Sequence, residues 1–87
     1  KLMNNYFEKI RAKLNKEIEL ESIEIVDNSQ KHQGHKFYSP EKYHLHLKIR
    51  SLYLSSLSRV SAQRTIMKIL SDDLKTKIHA LEISIEK

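Results

Sequence analysis

From Leu2 to Leu14 apolar side chains recur at every fourth position, Leu2, Tyr6, Ile10 and Leu14, with Met3 and Phe7 beside them. Polar Asn5, Glu8, Lys9, Arg11 and Lys13 fill the other side, so the spacing predicts an amphipathic helix over residues 2–15. Ile23, Ile25 and Val26 then sit among Glu and Ser and run into the turn formers Asp27-Asn28-Ser29, which makes Ser22–Asn28 a strand. From Ser29 to about Glu41 no period is present, and both Gly34 and Pro40 fall there: this stretch reads as one long loop. Tyr43 to Arg50 alternates strictly. Tyr43, Leu45, Leu47 and Ile49 point one way and His44, His46, Lys48 and Arg50 the other, the pattern of a half-buried strand.

A serine-rich turn, Ser55 to Ser58, introduces a second helix with Ser58 or Ser61 as its N-cap. Val60, Met67, Leu70 and Leu74 form the centre of its apolar face, widened by Ile66 and Ile69. Asp72 and Asp73 near its end oppose the helix dipole, a small local cost that packing can override. Ile78 to Glu86 alternates again, with Leu81, Ile83 and Ile85 on one face and Glu82, Ser84 and Glu86 on the other. The order helix–strand–strand–helix–strand predicts an α+β two-layer sandwich. Its three-stranded mixed sheet has helices on one face, and its first two strands are antiparallel. Leu45, Leu47, Ile49, Leu81, Ile83, Met67 and Leu70 are the expected core. The opposite sheet face, with His44, His46, Lys48, Arg50, Glu82 and Ser84, is expected to meet water.

At 87 residues the chain reads as a single domain, 1–87. A domain of that size buries only roughly 60–65% of its unfolded surface and rarely encloses a deep catalytic cleft. A net charge of +5 favours nucleic acid, acidic protein or anionic lipid as partner, but 11 acidic residues dilute it. No run of five basic residues occurs, and a solvated mixed-charge surface is the preferred reading. The absence of Cys excludes disulfides and fits a reducing compartment. No apolar run approaches the ~18–20 residues of a membrane helix, and no secretory signal is present, so no membrane association is expected. Because the chain begins at Lys1, a trimmed targeting segment is compatible with it: the expected location is the cytoplasm, or the mitochondrion if such a segment was removed.

Candidate chemistry rests on histidine. Of 5 histidines, His32, His35, His44 and His46 fall close together and His79 stands apart. Neutral imidazole is a ligand for zinc, iron or copper, so the chain offers nitrogen without thiolate. His32-Gln33-Gly34-His35 is a weak zinc motif by itself, lacking a C-x-x-C or a third ligand at known spacing. His44 and His46 share a strand face and could chelate, although solvated positions are favoured. His79 opens the last strand at a helix–strand junction. It is either a partly buried imidazole bonded to backbone or a ring held by the sheet and open to solvent. Arg64, Lys68 and Lys75 form one helix stripe with Ser71 between, fit for phosphates or simply exposed, the latter favoured. No hydrolase elbow, zinc-protease helix or P-loop is found, so no enzyme is expected.

Taken together, these residues resemble the BolA-like family over nearly the whole chain. Val26-Asp27-Asn28-Ser29-Gln30-Lys31-His32 is similar to the family's strand end and His-bearing loop. His44-Leu45-His46-Leu47-Lys48-Ile49 matches its His-aromatic-x-Val/Ile strand, and Arg59-Val60-Ser61-Ala62-Gln63-Arg64 its Arg-rich helix start. Most specific is Ile78-His79-Ala80-Leu81, which resembles the family's Val-His-Ala-Leu strand. Gln63 stands where the family usually has His, and Leu54-Ser55-Ser56 where it has Phe-x-Gly.

The resemblance implies a fold similar to the class II KH domain and a non-enzymatic partner of a monothiol glutaredoxin. The pair would share a bridging [2Fe–2S] cluster, the glutaredoxin Cys and glutathione giving sulfur and this chain giving histidine, in iron–sulfur assembly, trafficking or iron regulation. The implied ligands are His79 and the loop His, most simply His32 with His35 as the alternative, which sets the chain in the subgroup with His in that loop. The isolated chain would be a monomer with no cofactor. The competing reading is a nucleic-acid-binding transcriptional regulator using the KH-like fold and the basic residues Arg64, Lys68 and Lys75. A KH site clamps its strand with a Gly-x-x-Gly loop. With 1 glycine this chain has none, so only weak, sequence-indifferent binding is expected.

Overall fold

The alternating residues Tyr43–Arg50 form a strand, β2, and it is the middle strand of the sheet. Its core-facing Leu45, Leu47 and Ile49 are fully buried. The computed structural model describes residues 5–29 and 42–86. On one side β2 pairs antiparallel with β1 (Ser22–Asp27), and on the other it runs parallel to β3 (Ile78–Glu86). A parallel neighbour requires a crossover, and three helices supply it: α2 (Leu52–Ser55), α3 (Arg59–Ile69) and α4 (Ser71–Thr76). With α1 (Asn5–Glu17) leading, the expected α-β-β-α-β order is the observed one, the second helical region being divided. Ile10 and Leu14 of α1 join Ala62 and Ile66 of α3, Leu70 and the β2 leucines in one core, with Met67 and Leu81 packed at its margin. Of the expected core residues, only these two are half-buried rather than buried.

Three local expectations are corrected. The long second helix breaks at Leu70, whose backbone (φ −99°, ψ 20°) both closes α3 and opens α4. Asp72 and Asp73 therefore lie in the first turn of α4, where the dipole favours them rather than opposing them. The expected serine turn is partly the short α2, because Ser51 caps it: its Oγ accepts from the Leu54 N–H at 3.2 Å and donates to the Glu19 carbonyl at 2.8 Å. Ser58 caps α3 as anticipated, accepting from the Ser61 N–H at 3.1 Å. Val60, assigned to the apolar face, is 60% exposed. The buried stripe is set by Ala62, Ile66 and Leu70, and at 3.6 residues per turn Val60 lies roughly 200° around from Ala62.

On the outer face the register opposes unlike charges, Arg50 with Glu86 and Lys48 with Glu24, as favoured across strands. This face meets water along most of its length, but not at His44, which is only 6% exposed.

A buried acid ties α1 to α4. Asp73 is 9% exposed; its Oδ1 accepts from the Tyr6 hydroxyl at 2.7 Å and its Oδ2 from Lys13 Nζ at 2.6 Å. Burial alone would raise the Asp73 pKa, but the hydrogen bonds from Lys13 and Tyr6 and the Lys13 charge outweigh it and hold the carboxyl below its ordinary value. The Tyr6 phenol is pushed up, first by burial and then by its bond to Asp73, so it stays a donor.

Leu47→Ala is expected to cost about 2–5 kcal/mol in urea denaturation, and the half-buried Leu81→Ala measurably less. No loss in either variant would mean that the strand faces are reversed. Because the folded-state pKa of Asp73 is depressed, its contribution is full above the unfolded value near about 4 and is lost as pH falls through the folded value. Denaturation at stepped pH should show stability declining through that acid interval, and Asp73→Asn should flatten the decline.

Candidate functional site

The last strand changes parity. Ile78 is buried, yet the next core-facing positions are Leu81, Ile83 and Ile85, odd where Ile78 is even. One residue must be accommodated between them, and the pairing shows which. Tyr43 pairs with Ile78 and His44 with Ala80, so His79 is the extra residue of a one-residue register shift. Such a bulge re-aims a side chain at the end of a strand. The junction is fixed from both directions: the Lys77 N–H donates to the Asp73 carbonyl at 2.7 Å, and the Tyr43 N–H donates to the Lys77 carbonyl at 2.8 Å.

His79 is exposed, and its ring lies 5.0 Å from that of His44, tilted by 44°. His44 does not lie open to water as its strand position suggested, and the His79 ring is one of its neighbours. The backbone of His44 is also held by the chain leaving β1: the Asn28 N–H donates to its carbonyl at 2.7 Å, and its own N–H donates to Ser29 Oγ at 3.2 Å. The segment containing His32 and His35 therefore departs from β1 and rejoins β2 at the same corner of the sheet as the His44–His79 pair. His32 and His35 themselves lie outside the described residues.

His46 is engaged elsewhere. One ring nitrogen, Nε2, is 2.7 Å from Ser84 Oγ, and Nδ1 is 3.9 Å from Glu82 Oε1. The structure thus brings His44 to His79 rather than to His46, a grouping that strand alternation does not reveal. The parity change between Ile78 and Leu81 is the sequence signal that could have found it.

The donor set can be tested for a metal. The chain has no thiol, and among the described residues no group of three or more His, Cys, Asp or Glu is arranged to hold an ion. A closed structural site needs about four ligands. An exposed His79 imidazole on a fixed junction instead fits a centre completed by another molecule. Arg64 and Lys68 are exposed on α3, but Lys75 lies on α4 beyond the break at Leu70, so the expected single-helix stripe is divided. A groove of about 410 Å³ between α2, α3 and β3, lined by Leu54, Leu57, Arg59, Gln63 and Ile83, contains none of the described histidines, His44, His46 and His79. Among the described residues no helix is long and apolar enough to cross a membrane.

The family model described as BolA-like protein matches residues 14–87. The chain is similar to the chloroplastic protein BOLA1 of Arabidopsis thaliana, 32% identical over 84 residues, covering 93% of this chain and 52% of that protein. It is also similar to the chloroplastic/mitochondrial SufE-like protein 1 of the same plant, 35% identical over 80 residues, covering 86% of this chain and 22% of that one. The chain thus spans about half the length of the first relative and about a fifth of the second. Among solved structures, the BolA domain of SufE1 from Arabidopsis thaliana superposes with TM-score 0.80 at 34% identity, covering 98% of this chain and 94% of that one. BolA1 from Arabidopsis thaliana superposes at 0.78 and 30% identity, with 95% and 92% covered.

The divided basic stripe generates an expectation for nucleic acid. Binding should be weak and indifferent to sequence, and Arg64→Ala with Lys68→Ala should flatten its salt dependence, each lost phosphate contact reducing the log–log slope by about 0.7–0.9. Fluorescence anisotropy on labelled strands at several salt concentrations measures this; tight, sequence-selective binding at physiological salt would contradict it.

Proposed function

Because the chain belongs to the BolA-like family, we propose that residues 1–87 form a single BolA-like domain acting as a non-enzymatic partner of a monothiol glutaredoxin. The two proteins share a [2Fe–2S] cluster in iron–sulfur assembly, trafficking or iron regulation. The observation that carries this reading is the exposed His79 imidazole, set by the register shift against the buried His44 at the corner where β1 ends and β2 begins. His79 is one ligand, and the loop supplies the other, His32 or in its place His35. The cluster, when bound, supplies one-electron redox chemistry, and nitrogen in place of sulfur raises its potential.

This chain's own residues hold and orient. The bulge fixes the backbone of His79, and the His44 ring supports its imidazole on one side while the other side stays open to a partner. A ligating imidazole must be neutral, so the shared centre weakens as acidity protonates it. The missing thiolates come with the glutaredoxin and glutathione, which accounts for a chain rich in histidine and without Cys. The chloroplastic and chloroplastic/mitochondrial names of the two plant relatives support an organelle as its compartment.

Mixing the chain with a monothiol glutaredoxin, glutathione, iron and sulfide and recording visible absorption and circular dichroism tests the reading. His79→Ala should abolish the spectrum of the mixed complex while the far-ultraviolet signal of the fold persists. His32→Ala should do the same unless His35 replaces it, in which case the double variant loses it. If both single variants and the double variant keep the wild-type spectrum, the metal reading fails.

A further inference from the structure

Tyr6, Lys13 and Asp73 form a closed circuit with the junction that carries His79. The Tyr6 hydroxyl donates to one Asp73 carboxylate oxygen at 2.7 Å, and Lys13 Nζ occupies the other at 2.6 Å. The Asp73 backbone carbonyl accepts the Lys77 N–H at 2.7 Å, and the Lys77 carbonyl accepts the Tyr43 N–H at 2.8 Å. The Tyr43 ring then stacks on Tyr6, centroids 5.3 Å apart and nearly parallel at 14°, which returns the circuit to its start. Phe7 braces Tyr43 edge-on at 5.4 Å, and Lys77 Nζ lies 5.9 Å over the Tyr6 ring. Tyr43 and Ile78 are the last pair in register before the shift, so the circuit encloses the point from which His79 is displaced.

We propose that Tyr6, with Lys13 and Asp73, is a positioning residue for His79: α1 fixes the register shift and thereby the place of the imidazole against His44. Burial alone does not require such a network, since well-packed apolar side chains of similar volume generally stabilise a core as well as a buried ionic group. What a satisfied carboxylate adds is direction. With each oxygen taken by a different donor on α1, Asp73 has one orientation, and the first turn of α4 is locked to it. From that turn the Lys77 bond carries the constraint to within two residues of His79. Tyr6 and Lys13 lie ahead of residues 14–87, the span matched by the family model, while Asp73 lies within it.

The consequence for cluster binding rests on the proposed function; the positional claim does not, and its test uses the isolated chain. Tyr6→Phe keeps the stack on Tyr43 and removes only the hydroxyl. Imidazole carbon–proton correlation spectra and the nuclear Overhauser effect between the His44 and His79 rings report the site. Tyr6→Phe and Asp73→Asn should move both imidazole resonances and weaken the ring–ring effect about twofold or more, in proportion to the population lost from the held arrangement. Leu54→Ala, a core truncation packed near Ile83 and Ile85 at the far end of β3, lowers stability but should leave these signals unchanged. Wild-type imidazole signals in Tyr6→Phe, or equal movement in Leu54→Ala, would overturn the proposal. With glutaredoxin, glutathione, iron and sulfide, Tyr6→Phe should also weaken the complex about three- to tenfold as the competent fraction falls. A wild-type chain that forms no cluster, yet whose Tyr6→Phe variant shows the imidazole changes, removes the cluster reading and leaves the positional one standing.

Discussion

A single extra residue between the Tyr43–Ile78 and His44–Ala80 pairs is the constraint on which the candidate site depends. Side chains alternate along a strand, so an unbroken β3 starting from a buried Ile78 would turn Leu81, Ile83 and Ile85 away from the core. The shift at His79 lets both ends of the strand bury their apolar residues. It also leaves His79 itself outside the ladder, exposed, with its ring on His44. The same local irregularity thus serves the packing of the sheet and the presentation of the imidazole. A register irregularity and a candidate ligand coincide here because the core could not be satisfied without displacing one residue.

Around that point the chain is held from two sides. On one side the chain leaving β1 bonds to the His44 backbone through Asn28 and Ser29; on the other the α4–β3 junction is held by Asp73 and Tyr43. Asp73 is a charge placed where burial penalises it, and it is tolerated because Lys13 and Tyr6 complete both oxygens. Removing either donor would leave a buried acceptor short of a partner, which is where such networks become costly. The outer sheet face beyond this corner is ordinary by contrast, opposite charges facing one another in water.

Much of this was legible in the residues. Strict alternation in Tyr43–Arg50 marks a half-buried strand and its buried leucines, and Ser58, offered with Ser61, marks the start of α3, because both signals are local and strong. The break at Leu70 was not legible: Ile66, Met67, Ile69, Leu70 and Leu74 keep a helical period across it, and no Gly or Pro intervenes. A helix continued through it sets Asp72 and Asp73 against the dipole and joins Lys75 to a stripe it does not share. An apolar period centred on Met67 places Val60 on the buried face, whereas the buried stripe is centred on Ala62 and Ile66. The contact of His44 with His79 depends on the register between two strands distant in sequence, information that a local pattern does not contain. The resemblance singled out His79; its exposure and its support come from the sheet.

The central claim, that this corner supplies nitrogen to a shared cluster, is tested most directly by labelling the histidines of this chain alone with nitrogen-15. The labelled chain is loaded with unlabelled glutaredoxin, glutathione, iron and sulfide, reduced, and measured by pulsed electron paramagnetic resonance. Strong coupling of the electron spin to nitrogen-15, diminished or lost in His79→Ala, is the predicted result. A cluster with couplings unaffected by the label, held by sulfur alone, would contradict the account.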